Sequence, residues 1–277
     1  MSTFVLVHGM SHGGWAWRLL TARLERGGHR VIAIDLPGHG RRAHERARAS
    51  VGAYAAAVAD AMMLAGAHDA IVVGHSMGGI VIPKVAELVP ARVRHLVFLA
   101  AVVLPSGVSL LETHLTPAAR AVFRGLARAG SGAVQYSASM EWARWMNDIP
   151  RGDPRVVETL ALLTPQPLAP CAERVDYQRF FAMRVPCTYV RCLRDAAVPP
   201  ERAADRHGLR ARPHAVGSGR AREDPGVGMS APSDTSGLGP ASRAGARSST
   251  ERAERHERAG PASRAGARSS PWPMTPS

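Results

Sequence analysis

Through the first two hundred residues, short unbroken apolar runs alternate with segments of helical period. "FVLVHG" (4–9) is an apolar run closed by glycine and predicts a buried strand. "GGWAWRLLTARLERGG" (13–28) sets Trp15, Leu19, Leu20 and Leu24 at helical spacing before a glycine stop. "RVIAIDLPGHG" (30–40) reads as a second strand with a Pro/Gly-rich exit, 51–66 as an Ala-rich helix, and "AIVVGHS" (70–76) as a third strand. A helix over 78–89 and a fourth strand, "VRHLVFLAAVVLP" (93–105), follow. Runs that are continuous rather than alternating belong to strands covered on both faces. The pattern therefore predicts an α/β fold, a mostly parallel sheet between two layers of helices.

From Ser106 to Arg184 the pattern turns helical and proline-punctuated and contains "MEWARWMNDIP" (140–150); an insertion of this size predicts a cap. "VPCTYVRCLRD" (185–195) reads as a strand again. After Pro200 the regularity ends, and no final strand and helix can be recognised. "GPASRAGARSS" stands at 239–249 and identically at 260–270, too polar and too short a unit for a solenoid. The expected organisation is an N-terminal core part (1–105), a helical cap (106–184), an incomplete C-terminal core part (185–226) and a disordered Arg/Gly/Ser/Pro-rich tail (227–277). The tail is either natural or the product of a coding sequence that left its ancestral frame.

Composition sharpens that division. Of 277 residues 45% are hydrophobic, yet residues 201–277 contain no Phe, Tyr or Ile and one Trp, Trp272. Such a segment has too little apolar surface to offset its ordering entropy. The net charge of +13 divides into +8 over residues 1–200 and +5 over the rest, and every basic residue but Lys84 is Arg. No basic stripe interleaved with aromatics appears, so no nucleic-acid partner is expected. Cys171, Cys187 and Cys192 lack metal or redox spacing, and neither a metal nor a cofactor is expected. "MSTFVLVHG" enters a strand at once, and no apolar run is long enough to span a bilayer. The expectation is a cytoplasmic protein with no membrane partner and a small-molecule substrate.

Chemistry enters with "VVGHSMGG" (72–79), which carries G-x-S-x-G at Gly74, Ser76 and Gly78 between a predicted strand and a predicted helix. A sharp turn there projects the serine hydroxyl above the sheet, with glycines removing the clashes. "VHGMSHGG" (7–14) places a His-Gly pair after the first strand, so the Met10 and Met77 N–H groups are candidates for an oxyanion hole. His12 in that loop is a candidate substrate contact or a rim residue. Trp142 and Trp145 either line an apolar pocket or form cap core. His75, beside the serine, reads as a packing or positioning residue, and Asp35, Gly38 and Gly40 as shaping the loop after the second strand.

"FVLVHGMSHGGWAW", "GHRVIAIDLPGHG", "VVGHSMGG" and "HLVFLAAVVLPSG" together resemble the α/β-hydrolase superfamily, and within it the branch of plant methylesterases, hydroxynitrile lyases and bacterial esterases. The resemblance covers residues 4–200. It implies Ser76 as nucleophile, Asp195 after the post-cap strand as acid, and a histidine in a loop resembling "SGH". Here "GSGRAREDP" puts Arg220 at that place. Arginine stays protonated and is no general base. His207 and His214 are nearby, and His214 is the candidate base. The lyases would have threonine at Gly9 and lysine at Ala221; this chain has neither.

The expected function is a serine hydrolase of small-molecule esters, carboxylesterase- or methylesterase-like. The alternatives are a catalytically impaired relative that binds small molecules, or a lyase of the same branch.

Overall fold

The computed structural model describes residues 1–146, 148–193, 195, 197 and 211–216, the last segment by its backbone alone. Strands β1 (Thr3–Val7), β2 (Arg30–Ala33), β3 (Ala70–His75) and β4 (Val93–Leu99) form at the four N-terminal apolar runs. Two-residue strands β5 (Ala133–Val134) and β6 (Gln166–Pro167) make an antiparallel ribbon. β7 (Cys187–Cys192) and β8 (Ala211–Val216) complete a six-stranded sheet in the order β2-β1-β3-β4-β7-β8, parallel throughout.

A 3-10 turn, Gly14–Trp17, leads into α1 (Arg18–Arg26). α2 (Val51–Leu64) starts where the Ser50 hydroxyl accepts from Ala53 N at 3.0 Å, and α3 (Gly78–Leu88) follows β3 directly. Between β4 and β7 lie α4 (Leu110–His114), α5 (Pro117–Ala129), α6 (Ala138–Trp145), α7 (Pro154–Leu162), α8 (Leu168–Ala172) and α9 (Gln178–Ala182). α4 opens with a capping box between Ser109 and Glu112, and α5 with Thr116 as cap and Pro117 in its first turn.

The unbroken apolar runs cover both faces of the sheet. Val5, Val7, Val72 and Phe98 join one core with Tyr54, Val58 and Met62 of α2 and Ile80 and Val81 of α3. The intervening Leu6 and Val73 turn to a smaller cluster closed by Trp17. Each fully buried side chain of this kind contributes roughly 1.5–3 kcal/mol.

The structure departs from the sequence pattern in four places. β4 stops at Leu99, not at 105: Ala100 takes φ +42° and the chain leaves the ladder, with residues 101–104 buried as coil. β2 stops at Ala33, and the rest of its run is loop. α1 buries none of its residues and leaves Leu19 70% exposed; the buried indole is Trp17, one turn earlier. β8 was not expected at all. It is an edge strand within the described part of the sheet, where Pro213 is tolerated despite lacking an N–H. Arg220, Ala221, His207 and the repeated tail lie outside the described residues.

Candidate active site

In the strand order, the chain leaves β1 toward β2 and then returns to β3 on the other side of β1. Ligand crevices of parallel sheets form at such a reversal, beyond the carboxyl ends of the strands. Ser76 stands there, one residue beyond β3, with φ +50°. A non-glycine residue in that region costs roughly 1–3 kcal/mol and persists only where its surroundings hold it. Ser76 N donates to Leu99 O at 3.2 Å, and Ser76 O accepts from Gly79 N at 3.0 Å and Val102 N at 2.9 Å.

The flanking glycines are there because backbone passes too close for a side chain. A Cβ at Gly74 would stand 2.7 Å from Gly78 O, one at Gly78 2.6 Å from Val7 O, and one at Gly79 2.4 Å from Val102 O. A Cβ at Gly9 would stand 2.9 Å from the Ser76 Cβ, so the loop after β1 runs directly against the serine.

That loop is held from several sides. Leu36 N donates to His8 Nε2 at 3.0 Å, which leaves the proton of the neutral ring on Nδ1; Nδ1 donates to Gly9 O at 2.8 Å. Burial, reinforced by His39, lowers the His8 pKa well below 6.5 and keeps the ring neutral. Gly9 C=O and Met10 N–H belong to one planar trans peptide, so fixing the carbonyl aims the N–H the opposite way. His12 Nδ1 bonds Met10 O at 2.6 Å, fixing the next peptide. Among the described residues neither Met10 N nor Met77 N donates to a backbone carbonyl. Asp35 ties the loop's far end to the exit of β2: Gly14 N donates to its Oδ1 at 2.8 Å and Arg41 N to its Oδ2 at 3.2 Å.

Gln166 was not singled out from the sequence. It is fully buried in the β5–β6 ribbon; its Oε1 accepts from Ser11 N at 3.1 Å and lies 3.0 Å from His39 Nε2, and its Nε2 donates to Pro167 O. One amide thereby joins the loop after β1, the loop after β2 and the β5–β6 ribbon. Its setting, "LTPQPLAP", carries no motif that could have announced it.

A cleft of about 600 Å³ of empty space, partly open to solvent, is lined by Met10, Ser76 and Met77 at the sheet end and Ala197 beyond β7. The side formed by the segment between β4 and β7 includes Leu111, His114, Phe123, Tyr136, Arg144 and Trp145. Trp145 thus lines the cleft. Trp142 has another setting: its Nε1 donates to Ile149 O at 2.8 Å, and the Arg151 guanidinium lies 4.4 Å from its ring centroid. His12 stacks on Trp15 with centroids 5.3 Å apart and meets the edge of Trp145 at 5.6 Å. Burial lowers the His12 pKa and brings that of His75 to about 4.

Asp195 lies just past β7, two strands from β3, and its Oδ1 accepts from Ala197 N at 2.8 Å. His214 lies inside β8. The register runs His75–Leu99–Val190–His214 across four strands, so His214 is level with His75 and three strand spacings away, roughly 14 Å. Among the described residues no group of three or more His, Cys, Asp or Glu could hold a metal ion, and no helix is long and apolar enough to cross a membrane.

With the elbow, the loop and the cleft in view, the family comparison is decisive: the alpha/beta hydrolase family model matches residues 4–235. The chain belongs to the alpha/beta hydrolase family. Within this hydrolase family it is similar to the carbendazim hydrolyzing esterase of a Nocardioides species, 39% identical over 129 residues that make up 45% of this chain and 53% of that protein. It is 41% identical over 101 residues to salicylic acid-binding protein 2 of Nicotiana tabacum, covering 35% and 38% of the two chains. Methylesterase 10 of Arabidopsis thaliana is 42% identical over 102 residues, 35% of this chain and 36% of that one. The chain therefore spans about half or less of the length of these curated relatives.

Among solved structures it is similar to an extracellular alpha/beta-hydrolase from a Paenibacillus species, described as a structural and functional homologue of the tobacco protein. The TM-score is 0.67 and the identity 25%, over 72% of this chain and 81% of that one. A pyrethroid hydrolase from Sphingobium faniae matches with a TM-score of 0.61 at 23% identity, over 78% and 88%, a likeness of fold.

Proposed function

We propose that this hydrolase is a slow carboxylic-ester hydrolase acting on small-molecule esters by acyl transfer to Ser76. The observation that carries the reading is Ser76 at φ +50°, at the head of α3 and on the wall of a cleft shared with Met10 and Met77. Ser76 Oγ attacks the ester carbonyl, and the carbonyl oxygen gathers negative charge against the Met10 and Met77 N–H groups. The alkoxide leaves and takes a proton from water, which restores the hydroxide that accepted the serine proton; a second water then hydrolyses the acyl-serine to release the acid and restore the hydroxyl. The esterase relatives support this reading.

The proton acceptor limits the rate. An in-strand His214 some three strand spacings away is not given that role, because a base must come within about 3 Å of the hydroxyl. Position 220 is four residues past Val216. The family resemblance expects the proton-accepting histidine at that position. Arginine stands at that position, so in this proposal the serine proton passes to hydroxide. The expected kcat/KM for a short-chain aryl ester therefore rises with pH without the plateau near 7 that an imidazole gives. Ser76→Ala abolishes it, and Arg220→His introduces the plateau and raises the neutral-pH rate. Hydrolysis that survives Ser76→Ala would overturn the proposal.

The replacement at 220 favours a second reading, a small-molecule binder without turnover. It predicts ligand binding with no Ser76-dependent hydrolysis at any pH.

A further inference from the structure

The side of the cleft formed by the segment between β4 and β7 carries a cation among rings. Phe123 and Tyr136 have centroids 6.3 Å apart, Tyr136 and Trp145 6.2 Å apart, and Arg144 lines the same cleft from the last turn of α6. Among the described residues lining the cleft, Arg144 is the side chain that is charged at every working pH. The described ion pairs engage other arginines: Arg18, Arg41, Arg42, Arg94, Arg155 and Arg174. Its field reaches the cleft wall. Burial raises the Tyr136 pKa, and the Arg144 charge opposes that rise.

An arginine in the last turn of a helix also complements the helix dipole. That interaction is indifferent to which side of the helix the residue occupies, whereas Arg144 stands on the side that forms the cleft. Among the described residues, Ser76, His114 and Tyr136 are the other polar side chains on the walls. A neutral ester carbonyl can accept one hydrogen bond from the guanidinium, whereas a carboxylate adds charge attraction to a paired contact. A planar carboxylate matches the guanidinium's paired N–H donors.

We propose that the cleft selects aromatic esters that carry a carboxylate, with Arg144 holding the carboxylate and the Phe123–Tyr136–Trp145 rings holding the aromatic part. The proposal rests on the reading of the Ser76 cleft as an ester site, and it deepens that reading by naming the substrate class. Since Arg144 is exposed, the preference is screened by salt.

Equilibrium binding tests this without relying on turnover. 4-Hydroxybenzoate and 4-hydroxybenzamide have nearly the same shape and differ in charge; each is titrated calorimetrically into the full chain at low and at 0.5 M salt. The expected result is binding of the benzoate roughly three- to tenfold tighter at low salt, with the preference falling as salt rises. Arg144→Gln should remove the preference and Arg144→Lys should keep part of it, with circular dichroism confirming that each variant is folded. Equal affinities in the wild type, a preference that survives Arg144→Gln, or no binding of either compound would overturn the proposal. The fluorophosphonate reactivity of Ser76 is scored separately, so loss of the esterase reading and loss of the carboxylate site are distinct outcomes.

Discussion

His8 donates through Nδ1 to the carbonyl of Gly9 at 2.8 Å, and that carbonyl shares a peptide plane with the Met10 N–H. The ring also receives Leu36 N, so the turn after β2 dictates the tautomer that orients the Met10 N–H, the donor proposed for the oxyanion. His8 touches no substrate in this arrangement; it is a positioning residue.

His8→Ala is accordingly expected to lower kcat for an aryl ester by about tenfold or more, below the ~10²–10³ typical of deleting an oxyanion donor outright. KM should change little, and the shape of the pH profile should not change, since burial keeps His8 neutral throughout. His8→Asn, which can still donate to Gly9 O, should recover part of the loss. A change confined to KM would contradict the positioning role.

Backbone strain at Ser76 gives a prediction about stability. Ser76→Gly removes the cost of φ +50° for a side-chain-bearing residue, whereas Ser76→Ala keeps it. Both variants lose the nucleophile, but the glycine variant should be more stable than the alanine variant by about 1 kcal/mol in urea unfolding. The reverse order would mean that the elbow is not strained in solution.

Gly79 predicts the opposite sign. A Cβ there would stand 2.4 Å from the Val102 carbonyl oxygen, so backbone must move. Gly79→Ala should destabilise by roughly 1–3 kcal/mol or more and also weaken activity, because Val102 N bonds Ser76 O. Gly125→Ala, where nothing lies within 4 Å of the new Cβ, is the matched control in mid-helix and should be neutral or stabilising.

Buried and half-buried histidines set the acid side of stability. His8, His39 and His75 all have pKa values lowered chiefly by burial, His75 to about 4. Each is depressed in the folded state, so the unfolded chain binds more protons once pH falls below about 6.5. Stability is therefore expected to be level above pH 7 and to fall from about 6.5 toward 4. Urea midpoints measured across that range should show the slope, and His75→Gln should reduce it.

The parts legible in the sequence were those with one physical solution. Unbroken apolar runs joined by helices admit a parallel sheet and little else, and G-x-S-x-G between strand and helix fixes the turn at Ser76. Periodicity could not show that 101–104 is buried coil rather than strand, because both bury a continuous apolar run. It could not show that Trp17, not Leu19, closes the second core, since a 3-10 turn shifts the phase ahead of α1. β8 was hidden because "ARPHAV" is short, polar and contains proline. Gln166 was hidden because its importance comes from three loops meeting in space. Trp142 and Trp145 looked equivalent at three residues apart, yet one anchors Ile149 and the other lines the cleft.

The most direct test of the central claim is covalent labelling of the full chain by a fluorophosphonate, with the modified residue located by peptide mass spectrometry. The account predicts one adduct at Ser76, formed faster as pH rises, lost in Ser76→Ala and accelerated at neutral pH by Arg220→His. A folded sample that takes no label at Ser76 at any pH would contradict it.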